Sequence, residues 1–375
     1  MCIYYDMLMC NNRTAIYFCL MRMELKKHLY RRAFFYLVFF LLLTSLPATA
    51  QIVNPYDHDT TYYSTYPDLV TARFYFSKKY TTLRLDGDKN VPSFEYKPNS
   101  TLNMGIGATY KSLSLNLAYG FNFLNPTEER GKTKYLDLQT HLYGRKWRID
   151  FLGQFYKGYY LTPKGLAAPP GASYYVRPDL GITLIGLGIY KILNEQKFSY
   201  RAAMLQDEWQ KKSAGSLLIG AEIYYGITSA DSAFVPMELE THYNQRGIRR
   251  LNFVEIGPGI GYAYTLVVWE HLFVTASVTL NIPVSVTSEN SYTSKSTQVA
   301  IIPNYMYRFS AGYNGPKWSV SFTIVENGIN IRGSSSSDKY RYRTGNYRLT
   351  YAWRFPPRPR LKQRLKFLDN VFENR

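Results

Sequence analysis

Residues 272–285 read LFVTASVTLNIPVS, and this stretch decides the fold. One parity of its positions is small and largely polar, with Thr275, Ser277, Thr279 and Asn281 in the middle. The other parity is apolar throughout: Leu272, Val274, Ala276, Val278, Leu280, Ile282 and Val284. Because successive side chains of a strand point to opposite faces, this period of two predicts a β-strand with one apolar and one polar face.

The same alternation recurs along the chain, at 112–123, 318–324 and 347–355. Aromatic residues cluster near the ends of several such segments. Segments of about ten alternating residues separated by turns are typical of a transmembrane β-barrel, in which apolar side chains face lipid and polar ones face the lumen. Since lipid offers the backbone no hydrogen bonds, a sheet in a membrane has to close on itself.

Thirteen alternating segments can be counted, near 69–85, 100–110, 112–123, 134–143, 147–157, 179–192, 197–209, 215–228, 252–268, 272–285, 298–313, 317–331 and 340–355. Bacterial barrels have even strand numbers, and their connections alternate between short and long. That alternation, followed from both ends, fails between residues 158 and 214, so one strand there is missed or falsely split. We therefore expect an all-β fold over residues 69–355, a single antiparallel transmembrane barrel of about 12 strands, with 14 as the alternative.

The chain begins with features of an export signal. A cationic start at Lys26, Lys27, Arg31 and Arg32 precedes an apolar run at 33–46, and Ala48-Thr49-Ala50 forms a small-x-small cleavage site. The run is shorter than the roughly 20 residues of a membrane-spanning helix. We expect a cleaved signal peptide at 21–50, residues 1–20 upstream of the true start codon, and a periplasmic segment at 51–68. The predicted location is the outer membrane of a Gram-negative bacterium.

Cysteine content and charge narrow the possible partners. The three cysteines, Cys2, Cys10 and Cys19, precede the predicted mature chain, which excludes a disulfide scaffold and a Cys-ligated metal site from it. Cleavage after Ala50 leaves a net charge of +14. The basic residues are dispersed, which argues against nucleic acid binding. We expect partners among outer-membrane lipids, anionic lipopolysaccharide, and the export and barrel-assembly machinery, and no cofactor.

Charged residues within the strands fall mostly on the polar parity. A charge on the lipid face costs about 2–4 kcal/mol near the midplane, so these side chains are expected to face the lumen. There they would pair across strands or line a water-filled path. The set comprises Asp137, Arg148, Asp150, Arg201, Asp207, Glu222, Glu255, Arg308, Arg348 and Arg354.

Two motifs resemble sites of chemistry. His141 shares the polar parity with Asp137 and Gln139, and Asp150 lies on the next strand, so His141 is the weak candidate for a catalytic base. The sequence nominates no serine beside it, and a hydrogen-bonded lumen cluster is the simpler interpretation. The stretch 257–261, GPGIG, lacks the strand–turn–helix context of a nucleotide loop and is interpreted as lumen-facing or kink positions.

The tail at 356–375 changes character. Pro356, Pro357 and Pro359 break the last strand, and Leu361, Leu365, Leu368 and Phe372 then recur at near-helical spacing among basic residues. A short basic amphipathic helix that is attracted to anionic headgroups is one interpretation, and a frayed terminus is the other.

Five short motifs stand out: DTTY at 59–62, YPDLVTAR at 66–73, SKKY at 77–80, YKPN at 96–99 and KSAGS at 212–216. Together they resemble a family of exported Bacteroidetes proteins known as domain of unknown function 4421. The resemblance covers nearly all of 55–355. It implies an envelope barrel and brings no activity or catalytic residues.

Three functions follow as hypotheses. The leading one is a narrow pore or structural barrel with a polar, charge-paired lumen and no enzymatic activity. A second is a barrel enzyme that modifies outer-membrane lipids, with His141 as its base. A third is a secreted, lipocalin-like binding protein.

Overall fold

The computed structural model describes residues 58–87, 91–111, 113–124, 128–334, 336 and 338–363. The predicted start at 1–20, the signal peptide at 21–50 and its cleavage site lie outside the described residues. The tail is described only to residue 363, with a helical turn over 359–363.

The described chain is almost entirely strand. Besides the helical turn at 359–363, it contains one short helix, α1 (Tyr200–Met204), and single 3₁₀ turns at Asn122–Leu124 and Met237–His242. The strands are β1 (Tyr63–Thr65), β2 (Val70–Leu85), β3 (Phe94–Lys97), β4 (Leu102–Tyr110), β5 (Leu113–Tyr119), β6 (Lys134–Asp137), β7 (Thr140–Tyr143), β8 (Trp147–Thr162), β9 (Val176–Ile192), β10 (Glu208–Gln210), β11 (Ala214–Ser229), β12 (Arg250–Val268), β13 (Leu272–Asn281), β14 (Val284–Asn290), β15 (Lys295–Ile301), β16 (Asn304–Asn314), β17 (Trp318–Arg332) and β18 (Lys339–Phe355).

The sheet closes into a ring of antiparallel strands. Its hydrogen-bonded order is β2, β18, β17, β16, β13, β12, β11, β9, β8 and β3, after which β3 returns to β2. Strand β14 extends the line of β13 beyond Pro283. Strand β15 precedes β16 in one line with it, and Pro303 separates the two. The predicted closed antiparallel barrel is confirmed.

The strand count needs a correction. The ring has ten strands rather than twelve, because β5 pairs only with β4 and the β6–β7 run pairs only with β8. When β5 and the β6–β7 run are counted with the ten strands of the ring, the described chain crosses the wall twelve times. The strand predicted at 197–209 does not exist in the wall: that segment forms α1 and β10. The loop predicted at 286–297 shrinks to 291–294 because β14 and β15 extend past the prolines.

Burial in the wall is the reverse of that in a soluble protein. On β13, Val274, Val278 and Leu280 are 43%, 50% and 51% exposed, whereas the polar residues between them are buried. Apolar side chains therefore point outward and polar ones point into the lumen. Within the described residues, no helix is long and apolar enough to cross a membrane.

The two ends of the barrel are closed differently. At the end with the long connections, the 230–249 loop folds inward, and its Phe234, Val235 and Tyr243 join a buried apolar cluster with wall residues such as Leu83 and Tyr342. At the end with the short turns, a second cluster contains Phe198, Tyr200 and Met204 of the 193–213 connection. Several tyrosines lie inside these clusters, among them Tyr156 and Tyr159 in the first and Tyr143 and Tyr190 in the second.

Candidate functional site

The short-turn end is filled by a unit of the chain itself, which we call the inner plug: residues 58–65 and 194–213. β1 pairs antiparallel with β10, and the Tyr63 hydroxyl donates to the carbonyl of Glu195 at 2.8 Å. α1 begins where Ser199 Oγ accepts from the N–H of Ala202 at 3.1 Å, which is the usual role of serine at a helix start. Local capping and strand pairing therefore give the plug its own structure.

Wall side chains hold the plug by its backbone carbonyls. Arg354 donates to the carbonyls of Gln206 at 2.5 Å and Glu208 at 3.2 Å, and to Asn314 Oδ1 at 2.8 Å. Arg73 Nε donates to the carbonyl of Leu205 at 2.7 Å. These bonds give buried carbonyls of the plug a donor, and the carbonyl of Glu208 has a second one in Asn314 Nδ2 at 2.9 Å.

Further wall contacts reach the helix. Ser310 Oγ donates to the carbonyl of Ala203 at 2.8 Å, and Asn314 Nδ2 donates to the carbonyl of Ala202 at 3.1 Å. The Tyr200 and Ser277 hydroxyls lie 2.6 Å apart. The plug is thus bonded to β13 and β16 as well as to β2 and β18.

The plug also carries a buried charge cluster. Arg201 lies 2.5 Å from the Asp207 carboxylate and 3.4 Å from that of Glu208, and Ser199 Oγ donates to Glu208 at 2.5 Å. Burial raises the pKa of Glu208, while the Arg201 charge opposes that shift. Glu208 is buried inside the barrel because its segment is a plug and not a wall strand.

A second cluster lies in the lumen around Asp150. Its Oδ1 is 2.7 Å from His141 Nδ1 and 2.5 Å from Arg308 Nη2. Arg148 Nε lies 3.0 Å from Oδ2, close enough for an ion pair although off the hydrogen-bond direction. The Arg148 guanidinium also stacks over the Tyr190 ring, 4.2 Å from its centroid. β16 and β8 lie on opposite sides of the ring, so Arg308 spans the lumen.

Two further acids lie on β11 and β12. Glu222 accepts from the hydroxyls of Tyr190 at 2.6 Å and Tyr224 at 3.0 Å. Glu255 accepts from Asn304 Nδ2 at 2.5 Å. Register puts His141, Asp150, Gly188 and Glu222 opposite one another on successive strands, so the first cluster and Glu222 lie at one level of the barrel.

Asp137 anchors a third group nearer the long-loop end. It accepts from the Tyr156 hydroxyl at 2.6 Å and from Gln154 at 3.2 Å, and Lys79 Nζ lies 3.3 Å away. Gln139 reaches Thr344 on the other side at 2.9 Å.

The structure places the predicted charged residues in two separate groups. Asp137, Arg148, Asp150, Glu222, Glu255, Arg308, Arg348 and Arg354 project from wall strands, whereas Arg201 and Asp207 belong to the plug. Arg348 stacks on Tyr75 at 4.4 Å. Sequence reasoning missed Arg73 and Lys79, which lie on one parity of β2. The same parity rule applied to residues 69–85 would have found them.

His141 has the acid partner of a catalytic base but no nucleophile. Its hydrogen bond runs to Asp150, and among the described residues no serine hydroxyl is bonded to its Nε2. The 257–261 stretch lies within β12, as a strand and not as a nucleotide loop.

The chain is similar to known proteins at two levels. A family model described as Domain of unknown function (DUF4421) matches residues 57–355. The comparison with curated proteins gives no match. Among solved structures, the outer membrane protease OmpT of Escherichia coli has a TM-score of 0.35 at 11% identity and covers 78% of this chain and 98% of its own.

Two further barrels are similar at the same low level. The beta domain of the Bordetella autotransporter BrkA has a TM-score of 0.31 at 11% identity, covering 77% of this chain and 100% of its own. The toluene transporter TodX of Pseudomonas putida has a TM-score of 0.23 at 8% identity, covering 78% and 92%.

Proposed function

Because the chain belongs to the family described as Domain of unknown function (DUF4421), whose description names no activity, we propose a function from the geometry. The protein is an outer-membrane β-barrel of a Gram-negative bacterium, and its own chain holds its lumen closed. It acts as a structural or gated barrel in its resting state, not as an open pore.

The membrane location is supported by the outer surface. Exposed Leu, Ile, Val and aromatic side chains alternate with buried polar ones around the ring. Trp269, Trp318 and Trp353 lie near the short-turn end, as expected of interfacial anchors. A soluble lipocalin-like binder has the opposite pattern, a polar exterior and an apolar interior, so that hypothesis is disfavoured.

The observation that carries the closed state is the attachment of the inner plug by Arg354. One buried guanidinium binds two plug carbonyls and, through Asn314, the wall beside it. Hydrogen bonds from charged donors contribute about 1.5–3 kcal/mol each. Ordering the backbone costs about 1–2 kcal/mol per residue, so these bonds offset the ordering of a few residues, and the strand pairing and buried packing of the plug stabilise the rest.

Side chains also cross the lumen above the plug. Arg308 bonds Asp150, Tyr224 accepts from Asn327 at 2.7 Å, and the hydroxyls of Thr228 and Tyr342 lie 2.7 Å apart. Each pair joins strands that are not neighbours in the ring. A solute could pass only if these pairs and the plug moved. The enzyme hypothesis has the His141–Asp150 pair in its favour, but no nucleophile among the described residues is bonded to His141.

Planar-bilayer conductance tests the proposal. The refolded mature chain is expected to give no steady current. A variant with 195–212 replaced by a four-residue Gly-Ser linker, and with the cross-lumen pairs removed by Thr228→Ala, Arg308→Ala and Asn327→Ala, is expected to conduct. A matched control shortens the 163–175 loop at the other end and should stay closed. Boiling-dependent gel mobility verifies that each protein is folded. A steady open current from the unmodified barrel, equal to that of the plug variant, would contradict the proposal.

A further inference from the structure

The barrel wall has a seam, which we define as the space between β5 and the β6–β7 run. In the described part of the wall, β5 has a strand partner only in β4, and β6 and β7 have one only in β8. Towards the long-loop end the two sides meet again: the N–H of Asn99 donates to Thr133 Oγ1 at 2.8 Å, and the hydroxyls of Thr101 and Tyr135 lie 2.6 Å apart. The seam is therefore a stretch of wall without backbone pairing, closed by side-chain contacts at its long-loop end.

Exposure on β5 differs from that on the ring strands. Leu115 and Leu117 on its outer parity are 65% and 62% exposed. Asn116 and Ala118, on the parity that elsewhere faces a filled lumen, are exposed as well. Across the seam, Leu136 and Leu142 are exposed on β6 and β7, next to the half-buried His141. The seam thus has apolar edges.

Behind the seam lie more hydrogen-bond donors than acceptors. Arg148 and Arg308 have fully buried side chains and share the single carboxylate of Asp150 with His141. Arg148 Nη1 and Nη2 and Arg308 Nη1 are donors buried without a hydrogen-bond partner among the described residues, and one acceptor beside them, Asp150 Oδ2, is too. His141 Nε2 also lacks a partner there, and it donates only from the protonated ring, because Nδ1 carries the proton shared with Asp150.

The neighbouring acids do not supply those acceptors. Glu222 accepts from Tyr190 and Tyr224, and Asp137 is bonded to Tyr156, Gln154 and Lys79. Buried guanidinium donors normally find acceptor oxygens, and carboxylates and phosphates match their planar geometry.

We propose that the seam is a lateral binding site for an anionic amphiphile from the membrane, a molecule with one acyl chain and a carboxylate or phosphate head. The head enters beside His141, whose side chain is 13% exposed, and side chains at the seam move so that it accepts from Arg148 and Arg308 and from the protonated His141 ring. The chain lies along the leucines that edge the seam. Charge complementarity selects an anion, and the exposed leucines at the edges of the seam select an amphiphile. The inference requires a folded membrane barrel but not a closed one.

Calorimetric titration of the folded mature chain in nonionic detergent tests the ligand class. Laurate and dodecyl phosphate are expected to saturate one site per barrel. Dodecyltrimethylammonium, with the opposite charge, should bind at least tenfold more weakly, and inorganic phosphate should bind weakly because it has no chain. Equal binding of the cationic and anionic amphiphiles would overturn the proposal. Tight binding of inorganic phosphate would show that the ligand is a free anion and not an amphiphile, which would also overturn the proposal.

Variants locate the site. Arg148→Gln should weaken laurate binding at least tenfold. His141→Gln is the milder change and should weaken it at least threefold. Arg84→Gln, near the long-loop end, makes the same charge change as Arg148→Gln and should leave binding unchanged. Gel mobility verifies folding, and His141→Gln decides alone if Arg148→Gln does not fold. Unaltered affinity in folded His141→Gln would reject the site.

Access through the seam can be tested by bridging it. The mature chain has no cysteine, so Leu115→Cys with Leu142→Cys places two unique thiols across the seam. A bismaleimide bridge should slow laurate association at least tenfold, whereas each single variant carrying a monomaleimide should associate at the normal rate. Normal association in the bridged form would contradict lateral entry. Conductance of the unmodified barrel is independent of this result, so the two proposals can fail separately.

Discussion

Arginine is the residue type on which the interior of this barrel depends most. Its planar guanidinium offers five donors in a fixed fork and stays charged when buried, which lysine does not match. Arg354 uses that fork on plug carbonyls, and Arg308 uses it on Asp150 across the lumen. Parity in the sequence shows that both face inward. It does not show which partner each one meets, because those partners are distant in the chain.

Replacing Arg354 by lysine should loosen the plug without opening the ring. Lysine has one nitrogen and cannot reach Gln206, Glu208 and Asn314 together, so at least one buried carbonyl loses its partner. The expected cost is about 1.5–3 kcal/mol for each bond lost. Limited proteolysis of the 193–213 segment, with barrel mobility as reference, should show faster cleavage. Arg341→Lys, at a partly exposed pair with Asp86, is the control and should cleave at the normal rate.

Asp150→Asn should destabilise the barrel strongly. The change keeps the shape but leaves Arg148 and Arg308 without their carboxylate in a buried site, which costs about 3–5 kcal/mol. Urea unfolding in detergent micelles measures it. Asp86→Asn, whose partners Arg84 and Arg341 are partly exposed, should cost about 1 kcal/mol or less. Similar midpoints for the two variants would refute a buried charge network.

At the scale of elements, three neighbouring strands carry prolines at nearby levels: Pro258 in β12, Pro283 after β13 and Pro303 before β16. Proline cannot donate to a ladder, so side chains supply hydrogen bonds there. Asn281 Nδ2 donates to the carbonyls of Gly257 at 2.7 Å and Pro258 at 3.0 Å, and Asn330 Nδ2 donates to that of Pro303 at 2.8 Å. The sequence shows the prolines. Their alignment depends on register.

Asn281→Ala should weaken this region by about 1–3 kcal/mol, because two carbonyls inside the sheet lose a donor. Hydrogen exchange of β12 and β13 amides should accelerate locally, and the urea midpoint should fall. Asn252→Ala, whose side chain meets Arg250 in an exposed contact at 3.3 Å, is the matched control and should change neither.

At the scale of the whole molecule, the exterior is apolar and the interior is polar. The cost of a charged substitution on the outer face therefore depends on how deep in the membrane it lies. Leu280→Arg lies midway along the β13–β14 run and should cost about 2–4 kcal/mol in a bilayer, whereas Leu272→Arg lies at the interfacial end and should cost about 0–1 kcal/mol. Unfolding in lipid vesicles measures both. Equal costs would mean that the exposed belt does not lie in lipid.

The sequence by itself determined the strand class, the closed antiparallel sheet and the parity that faces the lumen, because alternation is a local property of neighbouring residues. Family membership agrees with the resemblance seen in the short motifs. Only the tertiary structure decided that 197–209 is a plug and not a strand. Residues 200–204 form a helix too short to show a period, and what holds it there are Arg354, Arg73 and Ser310, far away in the chain.

The same division applies to the candidate site. Inward-facing charges can be read from alternation, but the convergence of His141, Arg148 and Arg308 on one carboxylate depends on which strands lie opposite each other in a closed ring. The seam beside them depends on a missing strand pairing. A pairing is a relation between two segments, and neither segment records it alone.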